Sequence, residues 1–158
     1  MSVKVLVDRR ERYNRMRASL RQGAKNVYVG ITEEVGEQMH PNGKATILEI
    51  ACWNEFGTKW APDRSFLVSW FDQNVEASYA KLNEVSQGVI DGTKTLTQAL
   101  QELGRWAAKM IKKNMRRGIP PPNSPLTVRR KGFDKGTIES GTLAKMIRHI
   151  VKAAGERV

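Results

Sequence analysis

Phe66-Leu-Val-Ser-Trp-Phe-Asp-Gln-Asn-Val-Glu-Ala-Ser-Tyr-Ala-Lys-Leu-Asn-Glu-Val-Ser-Gln-Gly-Val89 and, after a short gap, Leu96-Thr-Gln-Ala-Leu-Gln-Glu-Leu-Gly-Arg-Trp-Ala-Ala-Lys-Met-Ile-Lys-Lys-Asn-Met-Arg116 decide the fold class. In the first, Leu67, Phe71, Val75, Ser78, Leu82, Val85 and Val89 keep a spacing of three or four, which predicts one long helix over about 66–89. In the second, Leu96, Leu100, Leu103, Ala107 and Met110 form a stripe widened by Ala99, Trp106 and Ile111, which predicts a helix over about 96–116. Gly92 breaks the pattern between them. A gap that short predicts an antiparallel helical hairpin.

Upstream, Tyr13, Met16 and Leu20 recur at helical spacing among arginines, so 8–22 is expected to be an amphipathic helix stopped by Gly23. Asn26–Ile31 is short and β-rich and predicts a strand. Residues 32–44 are polar and contain Pro41, Asn42 and Gly43, as a loop or hairpin tip does. Thr46–Phe56 predicts a short helix, with Thr46 as cap, Ile47, Ile50, Ala51 and Asn54 on one face, and Gly57 ending it in a left-handed conformation.

Downstream of the second long helix, Pro120, Pro121, Pro122 and Pro125 exclude regular structure at first. Ser124 before Pro125 fits a helix cap and first position, enough to start one turn. Gly132, Gly136 and Gly141 punctuate the stretch after that turn. Residues 143–153 fit a helix capped by Thr142, and Met146–Val151 fits equally a strand pairing with Val27–Ile31. The expected class is α+β: a long antiparallel helical hairpin packed on a small β-sheet, with extended Pro/Gly-rich arms. Residues 1–25 are expected to form a basic amphipathic N-terminal helix or arm. Residues 26–158 are expected to form a single α+β domain, with the Pro/Gly-rich arm at 118–141.

The chain has 158 residues, 40% hydrophobic and 27% charged, enough to bury a core without covalent staples. Its one cysteine, Cys52, excludes an internal disulfide framework and fits folding in a reducing cytoplasm. Cys52 lies among apolar residues, which predicts a buried small side chain rather than a nucleophile. The N-terminus lacks the pattern of a secretory signal. The apolar runs Ile47–Trp53 and Phe66–Phe71 are far below membrane-spanning length, so no membrane association is expected.

Net charge is +11 and unevenly spread. Residues 1–25 are net +6, 26–104 net −6, and 105–117 net +6. An acidic middle between basic flanks suits charge-complementary packing of copies, or a surface close to DNA.

Enzyme chemistry has little to build on. His40 and His149 have no second ligand at metal spacing, Glu33, Glu34 and Glu37 are a run typical of a solvated face, and the glycines lack phosphate-loop spacing. No catalytic residue, metal or cofactor is expected. Nucleic acid is the rival: Arg9, Arg10 and Arg12, with Arg15, Arg17 and Arg21, lie on one segment, and Lys109, Lys112, Lys113, Arg116 and Arg117 on another. Such runs can face DNA, face a partner or simply be solvated; no recognition-helix, zinc-finger or stacked-aromatic motif accompanies them.

Two segments resemble known signatures. Ile50-Ala51-Cys52-Trp53-Asn54-Glu55-Phe56-Gly57-Thr58, with Pro62, Arg64, Phe66 and Leu67, resembles a motif of tailed-bacteriophage neck and tail-completion proteins. Pro121-Pro122-Asn123-Ser124-Pro125-Leu126-Thr127, then Arg130-Lys131-Gly132 and Ile138-Glu139-Ser140-Gly141-Thr142-Leu143, resembles a motif of the phage virion morphogenesis family. Order and separation both fit. The departures are Ser65 for the family's proline, Ala61 for isoleucine, and Thr137–Gly141 for Leu-Ile-Asp-Thr-Gly.

The resemblance implies a structural virion protein assembling into a ring, hexameric in the family's tail geometry, at the neck or upper tail end. Tail completion or head–tail joining is the job implied, with other neck and tail proteins as partners; the basic runs separately suggest non-specific contact with packaged DNA. The implied location is the virion neck or tail, and the host cytoplasm during assembly. The alternative is a non-specific DNA-binding protein using its basic helices. Candidate interface residues are Glu55, Phe56, Gly57, Arg64, Phe66, Pro121, Pro122, Ser124 and Pro125. Glu55 and Arg64 carry opposite charges across a loop and could pair within or between subunits. The loop itself reads equally as local stabilisation or as a direct intersubunit contact.

Overall fold

The structure is a computed structural model that describes residues 3–41, 43–132 and 141–156. In chain order the elements are α1 (Val3–Leu20), β1 (Lys25–Gly30), α2 (Glu33–Gly36), α3 (Ile47–Phe56), α4 (Val68–Gln73), α5 (Val75–Ile90), α6 (Leu96–Arg117), α7 (Pro125–Lys131), α8 (Thr142–Met146) and β2 (Arg148–Ala153). The fold is mostly helical, with β1 and β2 forming a two-stranded sheet. The chain divides into two compact units: Met1–Tyr28 with Glu76–Trp106 and His149–Val158, and Val29–Val75 with Ala107–Arg148.

In the first unit, α5 and α6 pack through Val85, Val89, Ala99 and Leu103. Burying Val85 and Val89 contributes about 1.5–3 kcal/mol each, and the Ala99 methyl about 0.8 kcal/mol. Their connection is tight because Thr93 and Lys94 both donate backbone N–H groups to Gly88 O, and Gly92 turns at φ +67. A Cβ on Gly92 would meet Arg12 O at 2.8 Å, so α1 lies directly against this turn.

α6 opens on a reciprocal cap: Gln98 N donates to Thr95 Oγ1 and Thr95 N to Gln98 Oε1. Leu96 N donates to Ser19 Oγ at 2.5 Å, so α1 supplies a further acceptor. Glu102 accepts from Lys81 Nζ of α5 and from Lys94 Nζ. Farther along, α6 crosses the strands at Gly104, where an added Cβ would fall 2.7 Å from His149 Cδ2 and 2.8 Å from Val27 Cγ2. Only a residue without a side chain fits there.

In the second unit, α3 packs on α2 and α8. Ile47, Phe66, Met115 and Ile147 are its most deeply buried side chains, with Trp70, Ile111, Ile119 and Leu143 also in its core.

Four expectations need correction. The helix expected over 66–89 is two, α4 and α5, because Asn74 leaves helical geometry and turns its Nδ2 back onto Trp70 O. It also starts later, at Val68, because the backbone N–H groups of 66–68 are claimed by a side chain from α3. Within 32–44, α2 forms one helical turn with Val35 and Gly36 buried, and Met39 bridges Thr46 in hairpin fashion. Thr142 is the first residue of α8, not its cap, which is Gly141 at φ +71.

Of the two readings for 143–153, each holds for part of the stretch. α8 ends at Met146 and β2 then pairs with β1. Ala154 N donates to Ala24 O, so the end of β2 lies beside the start of β1. The turn expected at Ser124–Pro125 is α7, with Ser124 accepting from Thr127 N. Asn42, Gly136 and the 137–140 part of the second signature lie outside the described residues.

Candidate functional site

Helix α3 is fixed at both ends. At its start, Glu49 N donates to Thr46 Oγ1 and Thr46 N to Glu49 Oε2, a capping box. Its inward stripe is Ile47, Ala51 and Glu55, all buried. A carboxylate in that position requires donors, and it has four. Oε2 accepts from Phe66 N (2.8 Å) and Leu67 N (3.1 Å). Oε1 accepts from Val68 N (3.0 Å) and Ser65 Oγ (2.7 Å). Glu55 therefore caps the start of α4 from a neighbouring helix.

Burial alone would raise the Glu55 pKa, but the hydrogen bonds from Val68, Ser65, Leu67 and Phe66 outweigh it and hold the carboxyl below its ordinary 4.5. Glu55 is thus an ionised, buried anchor.

Between the two helices the chain must reverse, and Gly57 permits it at φ +73. A Cβ there would sit 2.8 Å from Asp63 N, so glycine is required by both conformation and space. Thr58 then closes a small turn: its N–H donates to Ala61 O, and its Oγ1 accepts from Trp60 N and Ala61 N. At the tip, Trp60 is 87% exposed, with Lys59 Nζ 5.0 Å from its ring centroid.

Arg64 is buried and turned to the other signature. Its Nε donates to Pro121 O (2.8 Å) and its Nη2 to Pro122 O (3.2 Å), while its backbone N donates to Asn54 O. Prolines have no N–H, so their carbonyls are the groups this segment offers, and the guanidinium fork matches two in sequence. The peptide bond between Pro120 and Pro121 is cis.

Comparison with protein-family models, with curated proteins and with solved structures returns no match.

The second unit thus joins the two segments picked out in the sequence, through Arg64, Pro121 and Pro122. Glu55 and Arg64 do not need each other: Glu55 is satisfied by amides and a hydroxyl, Arg64 by proline carbonyls. Phe66 is 1% exposed and belongs to the core, whereas Phe56 is 76% exposed. Ser124 and Pro125 begin α7, whose Leu126 is 77% exposed.

Cys52 is exposed, contrary to the expected burial, because α3 turns its Ile47–Ala51–Glu55 stripe inward and the next stripe outward. Ser65, where the resembled motif has proline, takes part in the cap that Glu55 makes on α4. Its Oγ donates to Glu55 and accepts from Ser69 N, tying the carboxylate to α4.

Of the basic candidates, Arg9, Arg10, Arg12, Lys109, Lys113, Arg116 and Arg117 are exposed. Lys112 is half-buried, and burial, then Arg148 and Arg116, push its pKa down. Among the described residues, no group of three or more His, Cys, Asp or Glu side chains is placed to hold a metal ion. His149 is engaged with Gln101 at 2.9 Å. No helix among the described residues is long and apolar enough to cross a membrane.

Proposed function

We propose that this chain is a non-enzymatic structural protein of a tailed-phage virion, acting in tail completion or head–tail joining by assembling into a ring at the neck or upper tail end. One observation carries the reading. The two segments that resemble the phage signatures, distant in sequence, meet through the Arg64 hydrogen bonds to Pro121 and Pro122. A resemblance split over two segments is stronger when both belong to one folded unit. The anchored Glu55 and Arg64 are the parts of such a site that hold shape, and Phe56 and Trp60 the parts that remain available for contact.

The reading is tested on the purified full chain by sedimentation and negative-stain electron microscopy, alone and with tail tubes lacking a terminator. Rings, or end-on decoration of the tubes, are expected. A chain that stays monomeric at high concentration and leaves tube ends bare refutes it.

Non-specific DNA binding is favoured by a separate observation, the exposure of Lys109, Lys113, Arg116 and Arg117 together at the end of α6. A monomer or dimer that binds duplex of any sequence, with an affinity falling steeply in salt, would favour that reading.

A further inference from the structure

The outward stripe of α3 is unusual for a helix on a folded unit. Leu48, Cys52 and Phe56 follow at four-residue spacing with Trp53 beside them, and all are exposed, Leu48 at 47% and Trp53 at 48%. The turn after the helix adds Trp60. Contiguous large apolar groups left in water mark interaction surfaces, and aromatic anchors carry much of the energy at interfaces. This surface is also preorganised. The Thr46–Glu49 capping box holds one end of the helix, and the four bonds to Glu55 hold the other. Rigidity of this kind lowers the entropic cost of binding.

Its chemistry points to a cationic partner. The segment that carries it, Val29–Val75, has seven acidic and three basic residues, net −4. Aromatic faces attract cations, guanidinium groups in particular, and Lys59 over Trp60 is a local instance. The same unit supplies the complement. Its other segment, Ala107–Arg148, has eleven basic and two acidic residues, net +9. Lys109, Lys113, Arg116 and Arg117 stand exposed at the end of α6, beside the half-buried Lys112, whose pKa burial and then the neighbouring Arg148 and Arg116 push down. Crowded cations with long apolar stems are stabilised by a surface that offers π faces and negative charge.

We propose that the outward face of α3 on one copy receives the cationic C-terminal end of α6 from a second copy. The two surfaces differ, so the contact is heterologous, and repeated head to tail it closes into a ring or extends as a filament. This inference rests on the assembly reading above and assigns it a pair of surfaces.

The native thiol provides the test. Lys113→Cys in the full chain, treated with a short bis-maleimide, should give a ladder of covalently linked multimers. The wild type has one thiol per chain and can link no further than a dimer. Adding Cys52→Ser to Lys113→Cys should abolish the ladder. Phe56→Ser and Arg116→Glu, both at exposed positions, should each weaken self-association by on the order of tenfold or more, whereas Tyr79→Ser, exposed in the other unit, should leave it unchanged.

Assembly that persists in Phe56→Ser and Arg116→Glu, with no ladder, overturns the surfaces while leaving the assembly reading intact. A linked product that remains a monomer shows the face covered by its own chain and overturns the proposal. Protection of the introduced thiol by duplex DNA, with no ladder, assigns the end of α6 to nucleic acid and does the same. A chain monomeric at every concentration overturns both readings.

Discussion

Replacing Glu55 isolates the interaction on which the second unit's local geometry depends. In Glu55→Ala, the N–H groups of Phe66, Leu67 and Val68 and the Ser65 hydroxyl lose their acceptor together. A hydrogen bond to a charged group contributes about 1.5–3 kcal/mol, and an orphaned buried donor costs about 1–3 kcal/mol. Four such losses do not add, because α4 can relax and admit water. A total of about 3–5 kcal/mol is expected, the range for removing one partner from a buried charged pair. For a chain of this length each kcal/mol shifts Tm by roughly 2–4 °C, so a drop of roughly 6–20 °C is expected.

Glu55→Gln should cost less. Its amide can donate to Ser65 Oγ while its oxygen accepts from Phe66 N and Leu67 N, leaving Val68 N alone, a loss of about 1–3 kcal/mol. The pH dependence separates charge from shape. The folded-state pKa of Glu55 lies below its ordinary 4.5. Its contribution is therefore complete above that value and is lost as pH falls through the folded-state pKa. The Tm gap between wild type and Glu55→Gln should stay constant near neutral pH and close on acidification below about 4.5. The assay is thermal unfolding by circular dichroism across pH, with amide exchange at 66–68 as the local readout. An Ala variant within about 2 °C of wild type, or a Gln gap that does not close in acid, would refute the reasoning.

Gly104→Ala should destabilise, although the same change in an open helix is worth about 1 kcal/mol of stabilisation, because the new methyl meets His149 and Val27 below 3.0 Å; a raised Tm would show that the strands yield freely. Arg64→Lys keeps the charge but can reach only one of two proline carbonyls at a time, and should lose about 1–3 kcal/mol, with faster amide exchange in the segment around Asn123. Unchanged exchange there would remove Arg64 as its anchor. Glu102, hydrogen-bonded to Lys81 and Lys94, has its pKa lowered from 4.5 to about 2. Its pairing should therefore persist through mild acid and fail only as pH approaches that value, and a carboxyl carbon titration by NMR with a midpoint near 4.5 would contradict it.

How much of this was legible depends on where each signal resides. Apolar spacing and a glycine break are local, so Leu96–Arg117 and the α5–α6 turn read directly from the chain. Thr46 as a cap read equally well, and the expected face of Ile47, Ile50, Ala51 and Asn54 contains two of the three inward residues; Glu55, the third, fell outside it because a charged side chain gives no apolar signal to the periodicity. Asn74 was missed as a break since asparagine interrupts a helix only when its side chain turns back on the backbone. The exposed stripe through Cys52 and Phe56 was hidden for a related reason: α3 is apolar on two faces, and periodicity does not say which one is covered.

The sequence by itself determined the helical hairpin, the need for glycine after α3, the uneven charge, and the two segments that resemble phage signatures. Tertiary structure alone decided what Glu55 and Arg64 do. Opposite charges nine residues apart suggest an ion pair, yet the carboxylate went to three amides and a hydroxyl and the guanidinium to two proline carbonyls. Burial forces each charge to seek its full set of hydrogen-bond partners, and which donors and acceptors come within reach is set by how distant segments pack.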